Sequence, residues 1–208
     1  MEQHTGRFIA FEGIDGSGKS TQLVMLKQQL EAAGYKVYNT FEPTDNQIGS
    51  LIRDILKGKQ SADQLTIAAL FAADRLHHIL NAEDGLLKKL QEGFIVLCDR
   101  YYFSSYAYHS VYVDMDWVIE INKKSAELLQ PSLNVFIDVD PETAMQRIQQ
   151  NRVDTELYET LDMQQKVYMN YQRAFDKLKH QEHICKVPGH LSLADTATEI
   201  LAVVNTVL

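Results

Sequence analysis

Residues Gly13-Ile14-Asp15-Gly16-Ser17-Gly18-Lys19-Ser20 satisfy G-x-x-x-x-G-K-[ST] at every fixed position. That pattern constrains backbone and ligand together. Its glycines admit conformations closed to residues with a Cβ and let amide N–H groups approach a phosphate. Lys19 supplies a point charge for the β/γ-phosphates, and the Ser20 hydroxyl can ligate Mg²⁺. The flanks agree with the motif: Arg7 to Glu12 reads as a short strand entering the loop. Lys19 to Ala33 lacks Gly and Pro and carries Leu23, Leu26 and Leu30 at helical spacing. A helix starting there turns its free N–H groups toward the anion. By itself the motif implies an α/β fold and a site for a magnesium-bound triphosphate.

The 208 residues, 45% of them hydrophobic, suffice for one sizeable core, and no Pro/Gly/Ser-rich linker divides them, so residues 1–208 read as a single domain. Twenty Lys+Arg against 28 Asp+Glu give a net charge of −8 without a basic stripe. Such a chain is a poor partner for nucleic acid, and a phosphorylated ligand must be held locally by a few arginines. Cys98 and Cys185 each fall in the apolar run of an expected strand, without metal-ligand spacing, and are expected to be buried reduced thiols. No N-terminal apolar h-region and no run of 18 apolar residues occurs, so a cytoplasmic protein without membrane contact is expected.

Further along, Tyr35 to Phe41 is rich in β-forming residues, Glu42-Pro43-Thr44-Asp45 breaks it, and Ile48, Leu51, Ile52, Ile55 and Leu56 mark an amphipathic helix carrying Arg53. Ser61 is the expected N-cap of a long helix on which Phe71 and Arg75, four apart, share a face. A ring and a guanidinium there could suit a base and a phosphate, but on sequence alone a core Phe beside a surface Arg is favoured. A short helix is expected over 83–91. Phe94 to Cys98 then forms a continuous apolar run, the mark of a strand covered on both faces, with Asp99-Arg100-Tyr101 at its carboxyl end where open parallel sheets place their crevice. Asp99 suits magnesium-bound water and Arg100 suits phosphates; a structural Asp–Arg pair is the alternative.

Ser104, Ser105, Tyr106, Tyr108 and His109 come next as a dense row of hydroxyls, rings and an imidazole. Trp117, Ile121 and Leu128 mark a helix ended by Pro131, and Leu133 to Val139 is the next buried strand. Pro141 opens a helix with Arg147 and Arg152 near its end. Leu161, Tyr168, Tyr171, Phe175 and Leu178 form the stripe of a long helix. Ile184 to Val187 is a last strand, Pro188-Gly189-His190 turns, and Leu193 to Leu208 closes the chain as a helix. Five strands alternating with helices make a parallel α/β sheet.

Phe11-Glu12 with the glycine-rich loop, Phe41-Glu42-Pro43-Thr44, Phe71-x-x-x-Arg75 and Asp99-Arg100-Tyr101-x-x-Ser104-Ser105-x-Ala107-Tyr108 together resemble the thymidylate kinase family. The resemblance implies a three-layer P-loop NTPase fold with a five-stranded parallel sheet covered by helices, closed by a short lid at about residues 147–158. It implies ATP and dTMP as substrates, Mg²⁺ as cofactor, and a homodimer. Gly13, Asp15, Gly16, Ser17, Gly18, Lys19, Ser20 and Thr21 would bind ATP, with Ser20 and Asp99 at the metal. Asp15 would meet the deoxyribose 3′-hydroxyl, Phe71 would stack on thymine, and Arg75 and Arg100 would hold the acceptor. Glu42, Pro43, Arg53, Ser104, Ser105, Tyr108 and His109 would complete the acceptor site, Tyr108 lying where a ribose 2′-hydroxyl would sit.

Some relatives carry a catalytic arginine at the position of Gly16, and those with glycine there carry it in the lid. The resemblance therefore implies Lys19, Asp99, Arg152 and its helper Arg147 as catalytic groups. Phe41 stands where many bacterial relatives have Arg, which passes acceptor phosphate to Arg53, and His109 replaces a frequent Gln, Ser or Thr. Another nucleoside monophosphate or deoxynucleoside kinase is the nearest alternative. A P-loop switch or assembly ATPase is the other, and it leaves Phe71, Arg75 and Arg100 without a joint purpose.

Overall fold

The structure, a computed structural model, describes residues 6–151 and 160–208. Strands β1 (Arg7–Glu12), β2 (Val37–Phe41), β3 (Ile95–Asp99), β4 (Leu133–Asp138) and β5 (Ile184–Pro188) form one all-parallel sheet in the order β2-β3-β1-β4-β5. The apolar runs of β1, β3 and β4 are almost wholly buried because helices cover both faces of the sheet centre, whereas the edge strands β2 and β5 are only partly buried. Phe8, Ile9, Phe11, Val96, Leu97, Val135 and Phe136 are at most 1% exposed. Each such side chain contributes on the order of 2 kcal/mol on burial.

Helices α1 (Lys19–Ala32), α2 (Gln47–Leu56), α3 (Gln64–Leu80) and α4 (Leu86–Gln91) fall between β1 and β3, and α5 (Tyr102–His109) and α6 (Met115–Leu128) between β3 and β4. Helices α7 (Pro141–Asn151) and α8 (Leu161–Leu178) precede β5, and α9 (Leu193–Val204) comes after it. Helix α1 packs on β1, β2 and β3 and against α9, while α5 packs with α3, α6 and α8. This is the expected three-layer α/β architecture. The Phe136 ring of β4 lies 5.1 Å from Tyr171 and 5.0 Å from Phe175, which seats α8 on the sheet.

Four local expectations are corrected. Helix α3 is capped by Asp63, whose carboxylate accepts from Thr66 N, instead of by Ser61 two residues earlier. Helix α4 begins at Leu86 with Gly85 as cap, because the extended backbone of Gly85 (φ −63°, ψ 157°) cannot continue a helix begun at Glu83. In α6 the stripe is rotated from that expected, Trp117 being 36% exposed while Val118 and Asn122 face inward. In α8 the expected stripe holds, with Tyr171 and Phe175 buried and Tyr168 and Leu178 packed against the core, and only its first member, Leu161, is exposed at 41%. Cys98 is a buried free thiol as expected, but Cys185, on the edge strand, is only half-buried.

Strand register determines which residues meet at the sheet's edge. Phe11 and Phe41 both lie opposite Asp99, so β1, β2 and β3 end level and deliver Gly13, Glu42 and Arg100 to one edge of the sheet.

Candidate active site

Between Glu12 and Lys19 the loop turns with positive φ at Gly13, Gly16 and Gly18. At Gly16 (φ 77°) a Cβ would also lie 2.4 Å from the carbonyl oxygen of Ala144 on α7, so no larger residue fits without moving that helix. Gly18 caps α1 without a side-chain hydrogen bond, and the first turn of α1 holds no acidic residue. Its N–H groups and dipole are left to an anion. Lys19, 6% exposed, donates from Nζ to the carbonyls of Gly13 (3.0 Å) and Ile14 (2.9 Å). Burial, with Arg100 nearby, lowers its pKa to about 8.

The loop forms one wall of a cleft of about 950 Å³, and Phe41, Glu42, Asp99 and Arg100 at the strand ends form another. Ser20 Oγ donates to Asp99 Oδ2 at 2.6 Å, while Asp99 Oδ1 is buried with no hydrogen-bond partner among the described residues. A hydroxyl and a carboxylate with an orphaned oxygen are the donor set a hard divalent cation takes, so these two residues fit Mg²⁺. At the far end, Gly189, Leu191 and Leu193 line the cleft with Arg147, whose Nη2 donates to the Gly189 carbonyl at 2.9 Å. Leu191 and Leu193 are 37% and 61% exposed, an apolar wall; periodicity placed Leu193 in the closing helix. Arg152 lies outside the described residues.

Arg100 does not pair with its neighbour Asp99, as the structural alternative required. It occupies the left-handed region (φ 72°), and its guanidinium pairs with Asp15 and reaches Tyr108 Oη (3.2 Å), Gly13 O (3.2 Å) and Ser104 Oγ (3.2 Å). A non-glycine residue held there is strain that its surroundings over-determine. Asp15 also accepts from Tyr108 Oη (2.9 Å) and from Gln164 of α8 (3.4 Å). Burial acts to raise the Asp15 pKa, but Arg100, Lys19 and these hydrogen bonds outweigh it and hold the carboxyl below its ordinary value.

Arg75, 1% exposed, is far from being a surface charge. Its Nε (2.8 Å) and Nη2 (2.7 Å) meet Glu42 Oε2, Nη2 donates to Ser105 Oγ (3.1 Å), and Nη1 donates to Asn122. One turn earlier Phe71 is half-buried, its ring 4.9 Å from that of His109. His109 is 2% exposed and its Nδ1 has no partner among the described residues. Burial and the Arg75 charge lower its pKa to about 3, so the imidazole is neutral. Arg53 Nη1 donates to the carbonyl of Pro43 at 3.0 Å and Nη2 pairs with Asp45 at 3.2 Å, which ties it to the loop after β2.

Glu12 and Tyr171, which the sequence marks only as part of the loop's entry and of a core stripe, meet beneath the loop. Glu12, fully buried, accepts from Tyr101 N (3.0 Å), Ser104 Oγ (2.5 Å) and Tyr171 Oη (3.1 Å), joining β1, α5 and α8 under Gly13. A polar residue ending an otherwise apolar strand was the available signal. Desolvation raises its pKa from 4.5 to about 7, against these hydrogen bonds and Arg100. The folded protein therefore holds this proton more tightly than the unfolded chain, and stability falls as pH rises from about 4.5 to about 7. Glu12→Gln is expected to remove that decline, measured by urea unfolding at pH 5 and pH 8. A wild-type slope unchanged in the variant would contradict it.

Glu42, His78 and Cys98 also bring their ligand atoms within 4.8 Å of one another. Each is already committed: Glu42 to Arg75 and His78, and the Cys98 thiol to the Arg100 carbonyl at 3.1 Å. Burial pushes the Cys98 pKa well above its ordinary value, and the Arg75 cation adjoins the group, so this is a hydrogen-bond network and not a metal centre.

A family model described as Thymidylate kinase matches residues 11–200. A protein of Treponema pallidum, described provisionally as a thymidylate kinase, is 40% identical over 180 residues, covering 86% of this chain and 84% of that one. The thymidylate kinase of Caldicellulosiruptor saccharolyticus is 37% identical over 181 residues, covering 84% and 85%. A Pyrococcus horikoshii protein described in similar provisional terms is 35% identical over 206 residues, covering 96% of each.

Proposed function

The chain belongs to the thymidylate kinase family, and from that premise we propose that its cleft transfers the γ-phosphoryl group of ATP to dTMP, giving ADP and dTDP for dTTP biosynthesis. The observation that carries this reading is the level ending of β1, β2 and β3. It brings the glycine-rich loop and the strand ends bearing Glu42, Asp99 and Arg100 onto one cleft, which supports a donor and an acceptor phosphate meeting there. Phosphoryl transfer needs alignment of the two substrates and neutralisation of their oxygens more than covalent help.

Each residue then has a task. The amides of Gly13 to Thr21 cradle the donor phosphates, and Lys19 exchanges the carbonyls of Gly13 and Ile14 for phosphate oxygens. Ser20 and Asp99 would hold Mg²⁺, which when bound neutralises charge on the phosphates. Gly189, Leu191 and Leu193 with Arg147 offer a wall for adenine, which would set Arg147, at the start of the expected lid, beside the base. Arg100 and Asp15 meet the acceptor's phosphate and sugar, Phe71 stacks on thymine, and Arg75, Ser105 and His109 face the base edge. Arg53 positions the Glu42-Pro43 turn. Arg152, outside the described residues, is the proposed catalytic arginine of the lid. The same reading takes residues 1–208 as one domain with a lid at about 147–158, acting as a cytoplasmic homodimer. Among the described residues no helix is long and apolar enough to cross a membrane.

ADP formation measured separately with dTMP, dUMP, UMP, CMP, AMP and thymidine tests the assignment. A strong dTMP preference is expected, and ADP formation indifferent to dTMP would overturn it. Tyr108 Oη is fixed by Asp15 and Arg100 against the expected sugar position, so Tyr108→Ala is expected to raise use of ribonucleotides relative to dTMP. An unchanged ratio would remove Tyr108 from sugar discrimination.

A further inference from the structure

Helix α3 grips the turn after β2 with three side chains. Asp74 accepts from Thr44 N (2.7 Å) and from Thr44 Oγ1 (2.7 Å), Arg75 pairs with Glu42 Oε2, and His78 Nδ1 lies 3.0 Å from Glu42 Oε1. The other ring nitrogen, Nε2, lies 2.8 Å from Thr40 Oγ1 of β2. All four charged or titratable members are largely buried: Glu42 is 4%, Asp74 1%, Arg75 1% and His78 7% exposed. A carboxylate has only acceptors to offer, so Nδ1 must carry the proton that meets Glu42, and the Thr40 hydroxyl completes Nε2. The two oxygens of Glu42 are thereby divided, one for Arg75 and one for His78.

We propose that His78 is a positioning residue for the acceptor nucleotide. It fixes the rotation of the Glu42 carboxylate, and Glu42 fixes the plane of the Arg75 guanidinium. The inference rests on the proposed function, in which Arg75 faces the acceptor. The guanidinium has five N–H donors, and the contacts to Glu42, Ser105 and Asn122 leave one Nη1–H without a partner among the described residues. Only the orientation of a rigid fork decides where that last donor points. With His78 absent, Oε1 of a buried carboxylate loses its donor and Glu42 is free to rotate about its terminal bond. Arg75 then samples orientations that do not meet the ligand. The His78 ring itself meets Glu42 and Thr40 and, among the described residues, no residue of the triphosphate loop, so the larger effect is expected on the acceptor.

The test separates this role from simple packing. Asn at position 78 places an amide N–H where Nδ1 stands, whereas Gln places it where Nε2 stands. His78→Ala is expected to raise KM for dTMP about tenfold, the weight of one hydrogen bond to a buried charge, with a smaller effect on KM for ATP. His78→Asn should bring KM for dTMP back to within about threefold of wild type and His78→Gln should not. In an Arg75→Gln background, His78→Ala should add nothing to KM for dTMP, because both changes remove one interaction. Equal behaviour of the Asn and Gln variants, a parallel rise in KM for ATP, or full additivity with Arg75→Gln would overturn the proposal. Should His78→Ala fail to fold, the Asn and Gln pair decides alone. A wild-type protein that does not turn over dTMP would defeat the functional reading instead, a result distinct from any of these.

Discussion

Lys19→Met is expected to lower turnover by about 10³-fold while the protein remains folded, as monitored by circular dichroism and by thermal unfolding. The Lys19 amine is the one cation inside the loop itself, 6% exposed and bound to the carbonyls of Gly13 and Ile14. Met conserves the length of the side chain and removes the charge, so lost activity reports the charge. The depressed pKa, about 8, adds a second expectation. In the free enzyme the ammonium is lost as pH rises through that value, so kcat/KM for ATP should decline above about pH 8. A bound polyphosphate favours the charged form, so kcat should decline at higher pH. A pH profile for kcat/KM in Lys19→Met with the same alkaline limb would assign that limb to another group.

Arg100→Ala should cost more than activity. Its guanidinium holds Asp15, Tyr108, Ser104 and the Gly13 carbonyl together, with side-chain exposures of 18% for Arg100 and 28% for Asp15. Removing it leaves a largely desolvated carboxylate without its cation. After allowance for partial exposure this costs about 2 kcal/mol of stability, and kcat/KM for dTMP should fall about 10²-fold. The pH dependence has a definite sign. In the wild type the Asp15 pKa is depressed, so its stabilising contribution is present above the ordinary carboxylate value and is lost as pH falls through the folded value. The stability gap between wild type and Arg100→Ala should therefore be widest near neutral pH and close in acid. Arg100→Gly should be more stable than Arg100→Ala by about 1 kcal/mol, since glycine alone tolerates the left-handed backbone at this position without strain. Equal stability of the two variants would show that the backbone conformation is not imposed by its surroundings.

Much of this molecule was legible in its sequence because its strands are short apolar runs and its loop is a spacing motif. All five strands, the order of the helices and the convergence of Asp99, Arg100 and the glycine-rich loop come from patterns local to a few residues. What escaped was set by packing partners distant in the chain. The inward face of α6 depends on which neighbour the helix meets, so Asn122 turns inward where Trp117 was expected; in α8 the expected Tyr171 and Phe175 face the core, but Gln164 joins them and Leu161 stays outside. Asp63 outcompeted Ser61 as a cap because the helix began two residues later. At the site, the spacing of Phe71 and Arg75 alone favours a core Phe beside a surface Arg, and the family resemblance supplies the acceptor role of Arg75. That Glu42 and Asn122 would enclose it, 33 and 47 residues away in sequence, is a tertiary fact. Glu12 and Tyr171 are 159 apart and carry no joint signature, yet they hold the floor of the loop.

The central claim is that one cleft aligns a triphosphate with a thymidine monophosphate acceptor. Incubation of the protein with ATP labelled in its γ-phosphate, Mg²⁺ and dTMP, with separation of the products, tests it most directly. Label is expected in dTDP, in equal amount to the ADP formed and dependent on dTMP. Label released as inorganic phosphate at the same rate with or without dTMP would contradict it.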